Sequence, residues 1–238
     1  MMKIALLNGS PRAKSVSGFV LNTLKTKLDG KADFIEFNLY KNPLNKTDAA
    51  EIAACDKIVI AAPLYVDALP SHVVQALVCI EENTVKRQHS PEVFAVSNGG
   101  FLESTNNRFS FSIISNWCAK CGFRWMYGLG IGSGERLLVE KNNSPNQKIN
   151  LWSIVGLVAV KVFSYEPSAF EGLCKKSFGN AAETLARDIL NSGNRENVYI
   201  RPFFPKTVFL NNLMTNASFF VKLKTNGNRL KDMTKKDL

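Results

Sequence analysis

Short apolar runs alternate with helix-like segments along most of the chain, and this alternation constrains the fold more than any other feature. The apolar runs predict β-strands at 3–8, 32–39, 57–62, 92–97 and 123–129. Apolar residues at helical spacing predict helices at 17–28, 47–54, 71–83, 106–120 and 180–190. Strands that alternate with helices are joined by right-handed crossovers. We therefore predict an α/β protein with a parallel sheet covered by helices on both faces.

The number of predicted strands also indicates where a ligand would bind. Five parallel strands in a chain of 238 residues suit a doubly wound sheet in the order 2-1-3-4-5. In such sheets ligands bind beyond the carboxyl ends of the strands, where the winding direction reverses. The loops after the first, third and fourth predicted strands are therefore the candidate ligand loops. The segment 154–163 suits either a strand or a buried helix.

The loop after the first predicted strand belongs to the stretch LNGSPRAKSVSG, residues 7–18. Amide groups at a helix N-terminus, several hydroxyls and the guanidinium of Arg12 together suit an anion such as phosphate. The stretch carries neither the GxxxxGK[ST] nor the GxGxxG pattern, which favours a terminal monophosphate over a polyphosphate or pyrophosphate. The alternative is an ordinary turn with a serine N-cap.

The other two candidate loops suit a flat ring. The third-strand loop, residues 62–71, reads APLYVDALPS and presents an aromatic residue between two prolines. The fourth-strand loop, residues 97–104, reads SNGGFLES, and its paired glycines let the backbone approach a ligand closely. A helix entry and a tight turn are the respective alternatives.

Four segments together carry a family resemblance: NGSPR…SVSG, APLYVDALPSH, SNGGFLES and WCAKCGFRWMYGLGIGSGE. They resemble the flavodoxin-like NAD(P)H-dependent FMN reductase family over residues 3–135. The predicted helix 180–190 would complete a flavodoxin-like domain at 1–194. The resemblance implies non-covalently bound FMN, a homodimer, and ping-pong hydride transfer from NADPH or NADH through the flavin. The acceptor would be a small molecule, either quinone-like, nitro, azo or flavin.

The resemblance also implies the cofactor-binding residues. The FMN phosphate would be held by Ser10, Arg12, Ser15, Ser17 and Gly18. The isoalloxazine ring would contact Pro63, Leu64, Tyr65, Val66, Asn98, Gly99, Gly100 and Phe101. No catalytic residue is assigned, because a flavin supplies its own chemistry. Two alternatives stay open, a flavodoxin-type electron carrier and a non-redox binding module. The formal net charge of +10 counts against the carrier, since such carriers are usually acidic.

Three further motifs receive more ordinary interpretations. WCAKC, residues 117–121, resembles a redox CxxC motif, but it lies at the predicted end of a helix and not at its N-terminus. His72 is expected in the first turn of a helix, and together with His89 it is too little for a metal site. The segment GLGIGSGE, residues 128–135, is expected to form a turn near a dimer interface.

Composition bears on compartment and partners. An odd count of five cysteines favours reduced thiols in a cytoplasmic protein, and we expect neither a signal peptide nor a membrane span. From residue 195 onward, nine basic residues accompany three acidic ones, which defines a basic C-terminal extension at 195–238. A solvated helix packed on the domain or on the dimer partner is the favoured interpretation. Peripheral contact with an anionic membrane surface is the less favoured one, and no nucleic-acid partner is expected.

Overall fold

The structure, a computed structural model, describes residues 1–84, 90–100, 103–138 and 167–200. These residues belong to the compact unit Met1–Pro202. They form a six-stranded parallel sheet in the order β2-β1-β3-β4-β5-β6. The strands are β1 (Met2–Asn8), β2 (Ala32–Asn38), β3 (Lys57–Pro63), β4 (Glu92–Asn98), β5 (Arg124–Ile131) and β6 (Val198–Ile200).

The predicted strand order 2-1-3-4-5 is confirmed, and β6 adds to it. β6 pairs with residues 129–131 of β5 in parallel. Three residues are too few to show the alternation that predicts a strand, so β6 was not expected. The boundary between a 1–194 domain and a 195–238 extension stays a prediction. The ambiguous segment 154–163 lies outside the described residues.

Five α-helices are described, and two short 3-10 helices, Ser104–Asn107 and Gly134–Leu138, follow β4 and β5. The α-helices are α1 (Val16–Lys27), α2 (Lys46–Ala53), α3 (Ser71–Asn83), α4 (Arg108–Cys121) and α5 (Pro167–Asn191). α5 therefore begins well before the predicted helix 180–190.

The helices cover both faces of the sheet and bury its strands. Buried residues of α2, α3 and α4 share one apolar cluster with alternate strand residues such as Ala5, Ile58 and Ile60. α1 contacts β1, β3 and β4 and also α5, where Phe19 and Phe178 lie with ring centroids 5.6 Å apart. β3 is buried along nearly its whole length, as expected for a central parallel strand. Among the described helices, none is both long and apolar enough to cross a membrane.

The amino ends of the central strands are closed by charged side chains. The first residues of three strands, Lys57, Glu92 and Arg124, are adjacent in the sheet register. Buried Lys57 forms an ion pair with buried Glu92, and Arg124 Nη1 lies 2.8 Å from the second oxygen of that carboxylate. Lys57 Nζ also donates to Ser192 Oγ at 2.7 Å, which ties the end of α5 to this edge. Removing the Glu92 carboxylate would leave the Lys57 ammonium buried without its counter-charge, so Glu92 resists substitution.

A matched pair of glycine substitutions tests this packing. An added Cβ on Gly128 of β5 would lie 2.4–2.5 Å from ring atoms of Phe111, whereas none lies within 4 Å at Gly179 of α5. We expect Gly128→Ala to lower the free energy of unfolding by about 2 kcal/mol through overpacking. Gly179→Ala should raise it by about 0.5–1 kcal/mol through helix propensity. Urea denaturation measures both values, and a stabilised Gly128→Ala variant would contradict the packing described.

Candidate functional site

Four loops meet at the carboxyl edge of the sheet, opposite the charged amino ends. The β1 loop comprises residues 9–15, the β3 loop 64–70, the β4 loop 99–103 and the β5 loop 132–135. Each loop follows its strand directly, so the parallel arrangement places all four at one edge. This is the edge at which doubly wound folds bind their ligands.

Hydrogen bonds to side chains hold the β1 loop in one conformation. The Ser10 amide donates to Asn8 Oδ1 at 3.0 Å, and the Arg12 amide donates to Ser10 Oγ at 3.3 Å. Ser15 is the N-cap of α1, where its Oγ accepts from the Gly18 amide at 3.1 Å. Ser10 and Ser15 are buried, whereas the Arg12 side chain is exposed. The loop therefore presents a guanidinium to solvent beside ordered hydroxyls at a helix N-terminus.

Asn98, the last residue of β4, joins the first turn of α1, the end of β3 and the start of the β3 loop. Its side-chain Nδ2 donates to Ser17 Oγ at 3.3 Å in the first turn of α1 and to the Ala62 carbonyl at 3.2 Å in β3. Its own carbonyl accepts from the Leu64 amide at 2.8 Å. Ser17 is only 1% exposed, so this link lies inside the protein. The side chain and the backbone carbonyl of Asn98 thus hold together segments that are distant in the sequence.

The β3 loop ends in a tight and strained turn. Tyr65 and Ala68 exchange two backbone hydrogen bonds, of 2.9 and 3.0 Å, across a two-residue turn. Both central residues have positive φ, 50° at Val66 and 58° at Asp67, as in turns of type I′. A β-branched residue is disfavoured at positive φ. The Val66 side chain is fully exposed, so no buried contact of this side chain offsets the strain. Such strain persists where the surrounding structure fixes it, commonly at functional sites.

The β5 loop also belongs to this edge. The Gly134 amide donates to the Gly99 carbonyl at 3.0 Å, and the Gly99 amide donates to the Ile131 carbonyl at 2.9 Å. Two buried polar atoms near the end of β5, Asn107 Oδ1 and Ser133 Oγ, have no hydrogen-bond partner among the described residues. Buried polar groups are ordinarily paired with protein or with ordered water, so these two atoms are exceptions at this edge of the sheet.

All the predicted cofactor-binding residues that the structure describes lie in these loops or in the strand ends and helix turn beside them. Phe101 lies outside the described residues. Ser17, Leu64 and Asn98 are brought together by hydrogen bonds, and the Leu64 side chain lies close to Gly99. Among the predicted cofactor-binding residues, the exposed ones are Arg12, Tyr65, Val66 and Gly100.

Sequence reasoning missed Asn8, His72 and the β5 loop. Asn8 directly precedes Gly9 and Ser10, and asparagine side chains often bond the backbone amide two residues on, so its position was a usable signal. His72 is in the first turn of α3 as expected, but its bond to the Gly9 carbonyl joins segments 63 residues apart and leaves no local pattern. The β5 loop, expected near a dimer interface, contacts the β4 loop through Gly134.

The cysteines of WCAKC are poorly suited to thiol exchange. Burial raises the pKa of Cys121 to about 11 and raises that of Cys118 further. Both lie in the last turns of α4, and both are free thiols. Since the thiolate is the attacking species, neither is activated at neutral pH. Among the described residues, no three His, Cys, Asp or Glu side chains come together as metal ligands would.

Comparison with known proteins shows the fold. No protein-family model and no curated protein matches the sequence. An NAD(P)H:quinone oxidoreductase from Methanothermobacter marburgensis is similar in structure, with a TM-score of 0.53 and 13% identity, over 79% of this chain and 96% of that chain. An azoreductase from Bacillus anthracis str. Sterne is similar with a TM-score of 0.48 and 11% identity, over 81% of this chain and 100% of that chain. The first likeness and the strand order establish a flavodoxin-like α/β fold.

The strain at Val66 predicts a stabilising substitution. Asparagine tolerates positive φ better than valine, so Val66→Asn should raise the free energy of unfolding by about 1 kcal/mol. Val74→Asn, on the exposed face of α3, is the matched control and should change it by less than about 0.5 kcal/mol. Thermal or urea unfolding of the two variants gives the comparison. Equal effects at both positions would show that the turn at Val66 is not strained.

Proposed function

We propose that this chain is an FMN-dependent NAD(P)H oxidoreductase. The observation that carries the proposal is that Asn98, at the end of β4, joins the first turn of α1 to the end of β3 and to Leu64 of the β3 loop. These segments belong to the motifs that resemble the FMN reductase family, and they converge at the ligand-binding edge of a flavodoxin-like fold. The motif resemblance and the fold are independent of each other, and both favour the same cofactor.

The β1 loop suits the FMN phosphate. Ser10 and Ser15 are held by backbone hydrogen bonds, so their hydroxyl hydrogens can turn toward a ligand. The exposed Arg12 guanidinium can bind two phosphate oxygens. We include Ser17 and Gly18 as contributors from the first turn of α1, where the helix dipole favours an anion. A phosphate bound here would lie beyond the end of β1.

The β3 and β4 loops suit the isoalloxazine ring. Pro63, Leu64 and Tyr65 offer apolar surface, and Tyr65 is 44% exposed at the edge. Gly99 and Gly100 would let the backbone approach the ring, and we include Val66 and Phe101 as further ring contacts.

The flavin, when bound, supplies reversible hydride transfer between NADPH or NADH and a second substrate. The chain's own residues would bind the phosphate, orient the ring and limit access to it. The acceptor would be a small planar molecule, either quinone-like, nitro, azo or flavin. A cytoplasmic homodimer belongs to the same proposal.

Purified protein tests the proposal directly. FMN added to the protein should bind, with quenching of flavin fluorescence or a shift of its visible spectrum. Anaerobic NADPH or NADH should then bleach the bound flavin without a partner reductase. Binding without bleaching by either nicotinamide would favour an electron carrier. Lack of affinity for FMN would overturn the proposal and favour a non-redox binding module.

Arg12 provides the matching substitution. Arg12→Ala should weaken FMN binding roughly 10- to 100-fold, because charged hydrogen bonds to phosphate contribute about 1.5–3 kcal/mol. Riboflavin lacks the phosphate, so its dissociation constant should change less than about twofold. Lys31→Ala removes an exposed charge beside the amino end of β2 and should leave both constants unchanged. Equal losses for FMN and riboflavin in Arg12→Ala would contradict the assignment of the phosphate to the β1 loop.

A further inference from the structure

His72 contacts the β1 loop from a neighbouring element. It lies in the first turn of α3, half-buried, and its Nε2 is 2.9 Å from the Gly9 carbonyl oxygen. A carbonyl oxygen only accepts, so Nε2 must carry the hydrogen. The ring of Tyr40, after β2, meets the His72 ring edge-on with centroids 5.2 Å apart. The imidazole is therefore held between the end of β2 and the start of the β1 loop.

Gly9 is confined on every side that the structure describes. Its amide donates to the Ala61 carbonyl at 2.8 Å, and its carbonyl accepts from His72. An added Cβ on Gly9 would lie 2.6 Å from Val73 Cγ2 and 3.0 Å from the Cβ of Ala62. The first turn of α3 thus leaves no room for a side chain at residue 9, because of Val73, and its His72 bonds to the Gly9 carbonyl.

The peptide group between Gly9 and Ser10 is fixed at both of its polar atoms. His72 binds its oxygen, and Asn8 Oδ1 accepts from its N–H at 3.0 Å. A peptide group is planar, so fixing both atoms fixes the direction in which the chain leaves β1. Ser10 Oγ in turn accepts from the Arg12 amide, which carries this orientation to the guanidinium-bearing residue.

We propose that His72 is a positioning residue for phosphate recognition, which acts through the Gly9–Ser10 peptide and touches neither the phosphate nor the ring. This inference rests on the proposed function, because it assigns the phosphate to the β1 loop. Donors that are already ordered lose less entropy on binding. A β1 loop in which Ser10 and Arg12 are held in place should therefore bind phosphate more tightly than a loop that must first become ordered. The ring half of the site, built on the β3 and β4 loops, is not oriented by this contact.

Affinities for FMN and riboflavin separate this role from a general structural one. His72→Phe keeps a flat ring without the donor and should weaken FMN binding about tenfold, with riboflavin changed less than about twofold. His72→Gln keeps an N–H at similar reach and should bring the FMN constant within about threefold of the wild type. Gln75→Ala, exposed on the same helix, is the control and should match the wild type.

Each other outcome has one meaning. An unchanged ratio of riboflavin to FMN dissociation constants in His72→Phe would overturn the inference, as would failure of His72→Gln to rescue FMN binding. A wild-type protein that binds neither FMN nor riboflavin would instead overturn the proposed function. Should His72→Phe not fold, long-range ¹H–¹⁵N correlation in the wild type still decides. A hydrogen on Nε2 supports the bond from His72 to the Gly9 carbonyl, and an Nδ1–H tautomer with no hydrogen on Nε2 overturns the inference.

Discussion

The side-chain amide of Asn98 is the contact on which the candidate site depends. Each of its hydrogen bonds, to Ser17 Oγ and to the Ala62 carbonyl, contributes only about 1 kcal/mol to stability. Their importance is geometric, because together with the bond from the Leu64 amide they fix the first turn of α1, the end of β3 and the start of the β3 loop to the end of β4. The proposed phosphate-binding turn and ring-binding loops can act on one ligand only if their separation is constant. The contacts of Asn98 hold the elements that flank them at a constant separation.

The two edges of the sheet differ in how their polar groups are satisfied. At the amino edge, Lys57, Glu92 and Arg124 pair with one another, and the fold is closed there. At the carboxyl edge, Ser133 has a positive φ and a buried hydroxyl without a partner among the described residues, and Val66 adopts a backbone conformation that valine disfavours. Unpaired polar atoms and strain cost stability, and proteins retain them mainly where a function requires them. This contrast agrees with the proposal that the carboxyl edge binds the ligand, whereas the ion pairs of the amino edge stabilise the fold.

The sequence predicted the strand order, and it predicted turns after the first, third and fourth strands, because both depend on local patterns; that these turns bind a ligand stays a prediction. Apolar runs such as 57–62 mark buried strands, and hydroxyl or glycine clusters mark the turns after them. It did not predict β6, whose three residues owe their pairing to β5 and not to their own pattern. The capture of Gly9 by His72 was also missed, because it joins a loop to a helix through a tertiary contact. Local chemistry was readable, whereas contacts made by distant segments required the structure.

The most direct test is to map FMN binding onto the backbone amides by NMR. The account predicts that FMN shifts the amide signals of Ser10, of 12–18, of 64–66 and of Gly99 and Gly100. The amide signals of Lys57, Glu92 and Arg124, at the amino ends of β3, β4 and β5, should not shift. Shifts concentrated instead around Trp125 and Tyr199, which line a separate pocket beside β6, would contradict the assignment of the carboxyl edge as the flavin site. Shifts in the ring loops without any at Ser10 and Arg12 would contradict the phosphate half alone.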